Sequence, residues 1–165
     1  MTASGVAPSR VAVEVLRESP LWGTEPDAEA VVRRAIEHAA AATRGSKPAA
    51  EVAVLLCDDA TIAALNAQWR GREEPTNVLS FPASPASGPA TPVHLGDIAI
   101  ARETVVREAR EQARTVSSHL THLAVHGFLH LLGYDHQTDD EAHRMEALER
   151  DILAALGFAD PYPDA

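Results

Sequence analysis

Cysteine, lysine and aromatic residues are scarce in this sequence. Of 165 residues, one is cysteine (Cys57), one is lysine (Lys47), and 4% are aromatic. A lone cysteine cannot form an internal disulfide, so a core or a bound metal must hold the fold, and a cytoplasmic location is the expectation. Residues 1–10 lack the basic start and apolar stretch of a secretory signal. No apolar run is long enough to cross a bilayer, and no membrane contact is expected. The shortage of aromatics argues against an extensive base-stacking surface. The length suits a single domain spanning residues 1–165.

Positive charge is also in deficit. There are 14 Lys and Arg against 24 Asp and Glu, a net charge of −10, which argues against a generic basic nucleic-acid coat. The imbalance is uneven. From Gln137 to the end, 8 acidic residues face 2 basic ones, whereas the rest carries 16 and 12. A local basic face therefore remains open, built from arginines at 70, 72, 102, 107, 110 and 114. Arginine engages phosphate through two parallel N–H donors where lysine offers a point charge. The four later arginines can equally pair along a helix surface with Glu103, Glu108 and Glu111, and that reading is preferred for most of them.

Hydrophobic patterning divides the chain into alternating elements. Valines at 11, 13 and 15 mark a strand over Val11–Leu16. Val31, Val32, Ala35, Ile36 and Ala39 share one face of a helix over Pro26–Thr43. Glu51–Cys57 is apolar nearly throughout and reads as a strand buried on both faces. Asp58 is placed to cap a helix reaching Trp69. Strands follow over Thr76–Phe81 and Leu95–Ala101, separated by an exposed loop at Pro82–Pro92 rich in Pro, Ala, Ser and Gly. Helices are expected over Arg102–Gln112 and Val116–Leu132, the second ended by Gly133. Thr138 and Glu141 fit a capping box opening a last helix to Leu156, with residues 157–165 as a loose acidic tail. The sum is an α+β domain: a small mixed sheet of about four strands covered by about five helices.

Chemistry concentrates between His126 and His136. His126 and His130 are four residues apart, so on a helix their side chains diverge by only about 40° and can reach one ion. A turn at Gly133 can bring His136 back as a third nitrogen ligand. Three imidazoles suit zinc and leave a coordination position for water, whose pKa zinc lowers to about 7. The spacing H-x3-H-x5-H matches that of metzincin proteases, but their general-base glutamate follows the first histidine, and here Gly127 stands in its place. Asp135, beside His136, fits a brace for that ligand. His122 lies one turn before His126, where it can hydrogen-bond substrate or carry protons, and the same is open to His119. His38, His94 and His143 are expected to be ordinary surface histidines, and Cys57 a small core residue.

These residues, with Arg70-Gly71-Arg72-Glu73-Glu74-Pro75-Thr76-Asn77-Val78-Leu79-Ser80-Phe81-Pro82 and Leu95-Gly96-Asp97-Ile98, resemble the bacterial YbeY family from about Glu51 to Pro161. The resemblance implies a zinc-dependent endoribonuclease specific for single-stranded RNA. It implies a role in ribosomal RNA processing, notably 3′-end maturation of the small-subunit (16S) RNA, and in ribosome quality control. It also implies a cytoplasmic protein working at the small ribosomal subunit. His126, His130 and His136 match the family's metal ligands, and Arg70 its functional arginine. Arg72 stands where other members have lysine. Two other readings remain at this point: another zinc hydrolase, including a peptidase, and a ribosome-assembly factor whose metal is structural.

Overall fold

The structure is a computed structural model that describes residues 11–45, 47–83 and 92–162. Strand β1 (Val11–Arg17) buries Val11 and Val13 and exposes the residues between them, the alternation of a strand covered on one face. The chain then makes a short 3-10 turn at Pro20–Thr24. Trp22, fully buried there, donates from Nε1 to the Cys57 carbonyl at 2.8 Å. Helix α1 (Ala28–Arg44) starts after Asp27, two residues later than the sequence pattern indicates, and buries Val32, Ala35, Ile36 and Ala39. Strand β2 (Ala50–Cys57) returns parallel to β1. Asp58 caps helix α2 (Asp59–Arg70) by accepting from the Thr61 amide at 2.8 Å.

Strands β3 (Val78–Pro82) and β4 (Val93–Ala101) form an antiparallel pair, and β4 lies parallel to β2. The sheet order is β1-β2-β4-β3, a four-stranded mixed sheet. Helices α3 (Arg102–Glu111), α4 (Val116–Leu131) and α5 (Asp139–Ala155) complete the α+β domain. The Pro82 end of the expected loop belongs to β3, and residues 84–91 lie outside the described residues.

The main core lies between one sheet face and α1 and α4. Val52, Val54, Leu56, Ile98 and Ile100 meet Val32, Ile36, Leu120, Ala124 and Phe128 there. On the other face α2 places Ile62 in a smaller cluster with Cys57, Leu79, Ala99 and Ala101. The expectation that the Glu51–Cys57 strand is buried on both faces is therefore half right. Cys57 is covered by α2, whereas Ala53 and Leu55 on the same face are only partly covered, because α2 reaches only the Cys57 end of β2.

The last segment also differs from expectation. Residues 157–162 are docked rather than loose. Phe158 packs on the main core, Arg150 pairs with Asp160 at 3.1 Å, and the Tyr162 hydroxyl reaches Glu149. Packing of the Phe158 ring and the Arg150–Asp160 ion pair outweigh the acidic composition there. No helix among the described residues is long and apolar enough to cross a membrane.

Candidate metal centre

Helix α4 carries the site, and its two ends are set by local hydrogen bonds. Thr115 accepts from the Ser118 amide at 3.0 Å at the start. At the end, Gly133 donates to the His130 carbonyl and Tyr134 to the Leu129 carbonyl, at 3.0 and 3.1 Å. This Schellman arrangement needs a positive φ at Gly133, which is +99°. It turns the chain back and brings His136 beside the helix.

The three imidazoles converge. Ring centroids are 4.6 Å apart for His126–His130, 5.2 Å for His130–His136 and 5.8 Å for His126–His136. One ligand nitrogen or oxygen from each group lies within 4.8 Å of the others. His126 Nε2 and His130 Nε2 face each other at 3.1 Å. Two nitrogens bound to one tetrahedral zinc sit about 3.4 Å apart, so the pair needs little adjustment to share an ion. Burial, then the neighbouring His126 and His136, lower the pKa of His130, which keeps its ring neutral and its lone pair free at neutral pH. Asp135 accepts from the His136 amide at 2.8 Å and so holds the backbone of the third imidazole.

Glu149, on α5, is the residue that sequence reasoning missed. Its carboxylate is 1% exposed and sits behind the imidazoles. It accepts from His122 Nε2 at 2.6 Å, from His126 Nδ1 at 3.3 Å and from the Tyr162 hydroxyl at 3.1 Å. Burial alone would raise its pKa, but the hydrogen bonds and charge of His122 and His126 pull it down to about 2. With Nδ1 of His126 donating to Glu149, the lone pair on Nε2 points to the other imidazoles. His122, His126 and Glu149 form a second cluster whose ligand atoms also lie within 4.8 Å of one another. His122 is thereby buried against a carboxylate rather than presented to solvent. His119 is farther back, donating to Glu108 at 2.8 Å. Its second ring nitrogen lies 3.3 Å from Arg114.

A cleft of about 870 Å³ opens in front of the imidazoles, lined by His126, His130 and His136 together with Arg70, Arg72 and Asn77. Arg70 is the last residue of α2, exposed, and donates to the Ser80 carbonyl at 3.3 Å. Ser80 in turn donates from Oγ to the Gly127 carbonyl at 2.8 Å. These contacts connect α2, β3 and α4, placing the guanidinium on the same cleft as the imidazoles. Among the described residues, Arg70 and Arg72 are the two arginines on this cleft. The later arginines do not build a basic face there. Among the described residues the expected pairing along α3 is also absent: Arg102 pairs with Glu25, while Glu103 caps Asp59 and Glu108 serves His119 and Asn77.

Gly127 has a packing reason. A Cβ there would lie 3.1 Å from Ile98 Cγ2 and 3.2 Å from Ser80 Oγ and Val78 Cγ2. The position faces the sheet, so a glutamate side chain at 127 would start against β3 and β4 rather than toward the cleft. His94 lies near Glu51 and Asp97, His38 Nδ1 is 3.1 Å from the Arg34 carbonyl, and Cys57 is buried in the second core cluster.

The chain is similar to known proteins along most of its length. Residues 18–157 match the family model described as Endoribonuclease YbeY. A protein called Endoribonuclease YbeY from Rhodopseudomonas palustris (strain BisB18) is 56% identical over 156 residues, covering 93% of each chain. One of the same name from Bradyrhizobium diazoefficiens is 54% identical over 161 residues, covering 95% of this chain and 88% of its own. A solution structure from Thermotoga maritima matches the fold with a TM-score of 0.50 at 22% identity, over 90% of this chain and 97% of its own. The chain belongs to the YbeY endoribonuclease family.

Proposed function

We propose that this protein is a zinc-dependent endoribonuclease that cuts single-stranded RNA. The observation that carries the reading is the convergence of His126, His130 and His136 on one face of a cleft that also holds Arg70. In this reading the three imidazoles hold one zinc ion per chain, and His122 and Asp135 support them from behind. Bound zinc supplies Lewis acidity toward a phosphate oxygen and an acidified water.

The protein's own groups do the rest. The guanidinium of Arg70 pairs with phosphate oxygens and offsets charge that builds on phosphorus during cleavage. Glu149 fixes the orientation of His126, and the peptide link between Asp135 and His136 is held by the Asp135 carboxylate. Arg72 adds a second positive charge to the cleft. The acidic balance of the whole chain fits a substrate delivered locally rather than gathered by a basic surface. Family membership supports ribosomal RNA as the substrate, with 3′-end maturation of the small-subunit RNA and ribosome quality control as the setting. It likewise supports the small ribosomal subunit as partner and the cytoplasm as location.

The test is cleavage of a single-stranded RNA carrying a small-subunit 3′ end, comparing zinc-loaded wild type with His130→Ala and Arg70→Glu. The reading expects cutting by wild type, loss of zinc and cutting in His130→Ala, and loss of cutting with zinc retained in Arg70→Glu. Equal cutting by all three would overturn it.

A further inference from the structure

The second sheet face carries a groove that the metal centre does not use. It has a volume of about 850 Å³ and lies beside α2, over the part of β1 and β2 around Leu16, Ala53 and Leu55. Its walls are mostly apolar, with Leu16, Leu55, Leu65 and Phe81 among them. Trp69 stands at its edge with 64% of its surface exposed, and Leu16 is 59% exposed. The indole is tilted 59° to the Phe81 ring, with centroids 6.1 Å apart.

Two observations indicate what this groove holds. The first is continuity: Arg70, Ser80 and Pro82 line both this groove and the cleft before the imidazoles. Trp69 and Arg70 are adjacent in sequence at the end of α2. The second is charge. Glu14, Asp97 and His94, whose Nε2 lies 3.4 Å from Asp97, line the groove, and among its described lining residues Arg70 is the one arginine or lysine. Carboxylates repel a phosphate backbone but accept hydrogen bonds from the exocyclic amines of bases. An uncharged aromatic group joined to a phosphate held at Arg70 meets both conditions.

We propose that this groove is a nucleobase subsite, in which one unpaired base of the RNA stacks on Trp69 while its phosphate lies at Arg70. The proposal rests on the reading of the cleft as an RNA-cutting site. It also gives that reading a physical source of single-strand preference. A base in a duplex is already stacked on both sides, whereas an unpaired base has a free face for the indole. One stacking residue suffices here, which is compatible with the low aromatic content.

The chain has two tryptophans, and Trp22 is fully buried, so quenching of intrinsic fluorescence by RNA reports on Trp69. The probe is a single-stranded oligoadenylate of six nucleotides, added to the metal-free full-length protein in chelator so that it is not cut. RNA binding is followed in parallel by anisotropy of a labelled copy. The expected result is saturable quenching by the single strand and none by a duplex of equal length. Trp69→Phe should keep binding within a few-fold while losing the quenching signal. Trp69→Ala should weaken binding roughly tenfold or more, from the usual strength of base–aromatic stacking. In the zinc-loaded enzyme Trp69→Ala should raise KM by a similar factor, with zinc content and kcat little changed.

Absence of quenching where anisotropy shows bound RNA would overturn the subsite, as would tight binding by Trp69→Ala or no RNA binding at all. Zinc-dependent cleavage by wild type with no quenching would sink the subsite and leave the nuclease reading standing. Quenching without any zinc-dependent cleavage would do the reverse.

Discussion

Replacing Glu149 with glutamine probes the support of the metal centre without touching a proposed ligand. The substitution keeps the volume but puts an amide where a carboxylate accepts from His122, His126 and Tyr162. The amide oxygen can still accept from both imidazoles and the NH2 can face the Tyr162 hydroxyl, so the bonds remain but lose their charged acceptor. Hydrogen bonds to charged groups contribute about 1.5–3 kcal/mol against about 0.5–1.5 for neutral ones. The metal-free variant should therefore lose about 2 kcal/mol in urea unfolding. Loss of a carboxylate behind a metal-bound imidazole typically weakens metal binding about 10–100-fold. Zinc affinity, measured by competition with a chromogenic chelator, should fall within that range. Glu149→Asp, which retains the charge, should recover part of both losses. If Glu149→Gln binds zinc as tightly as wild type, the assignment of Glu149 as the group orienting His126 is wrong.

Burial, with Glu18 and Asp58 nearby, pushes the Cys57 thiol up to about 12, so the native protein should resist alkylation at pH 8 and react only when unfolded. Gly127→Glu should create no peptidase activity and should cost several kcal/mol in thermal or urea unfolding, because the side chain enters the packed contact with Ile98 and Ser80; a folded, peptide-cleaving variant would contradict the geometry. The folded-state pKa of Glu149 lies below its ordinary value of 4.5, at about 2. Its contribution is thus complete above pH 4.5 and lost as pH falls toward 2, and unfolding of metal-free wild type should lose more stability over that window than Glu149→Gln does.

The parts of the fold visible in the sequence are those with a local cause. Asp58 and Thr138 cap their helices through side-chain oxygens, and each lies next to an apolar helical pattern. His126 and His130 share a helix face by spacing alone, and Gly133 marks the turn that returns His136. The missed features depend on contacts between distant segments. Glu149 lies on a charged helix among many acidic residues, and its burial is set by the packing of α5 on α4. Trp22 sits in a short turn whose anchor is a carbonyl 35 residues away. The open face of β2 was hidden because an apolar run does not show how far the covering helix reaches. The glutamates of α3 were expected to serve neighbouring arginines, yet tertiary partners claim them.

The most direct measurement of the central claim is a zinc titration of the metal-free protein, recording bound zinc and the cleavage rate of single-stranded RNA on the same samples. The account predicts a rate that rises in proportion to occupancy and stops at one zinc per chain, with His136→Ala neither binding nor cutting. Full cleavage in the metal-free protein, or cleavage that does not follow occupancy, would contradict it.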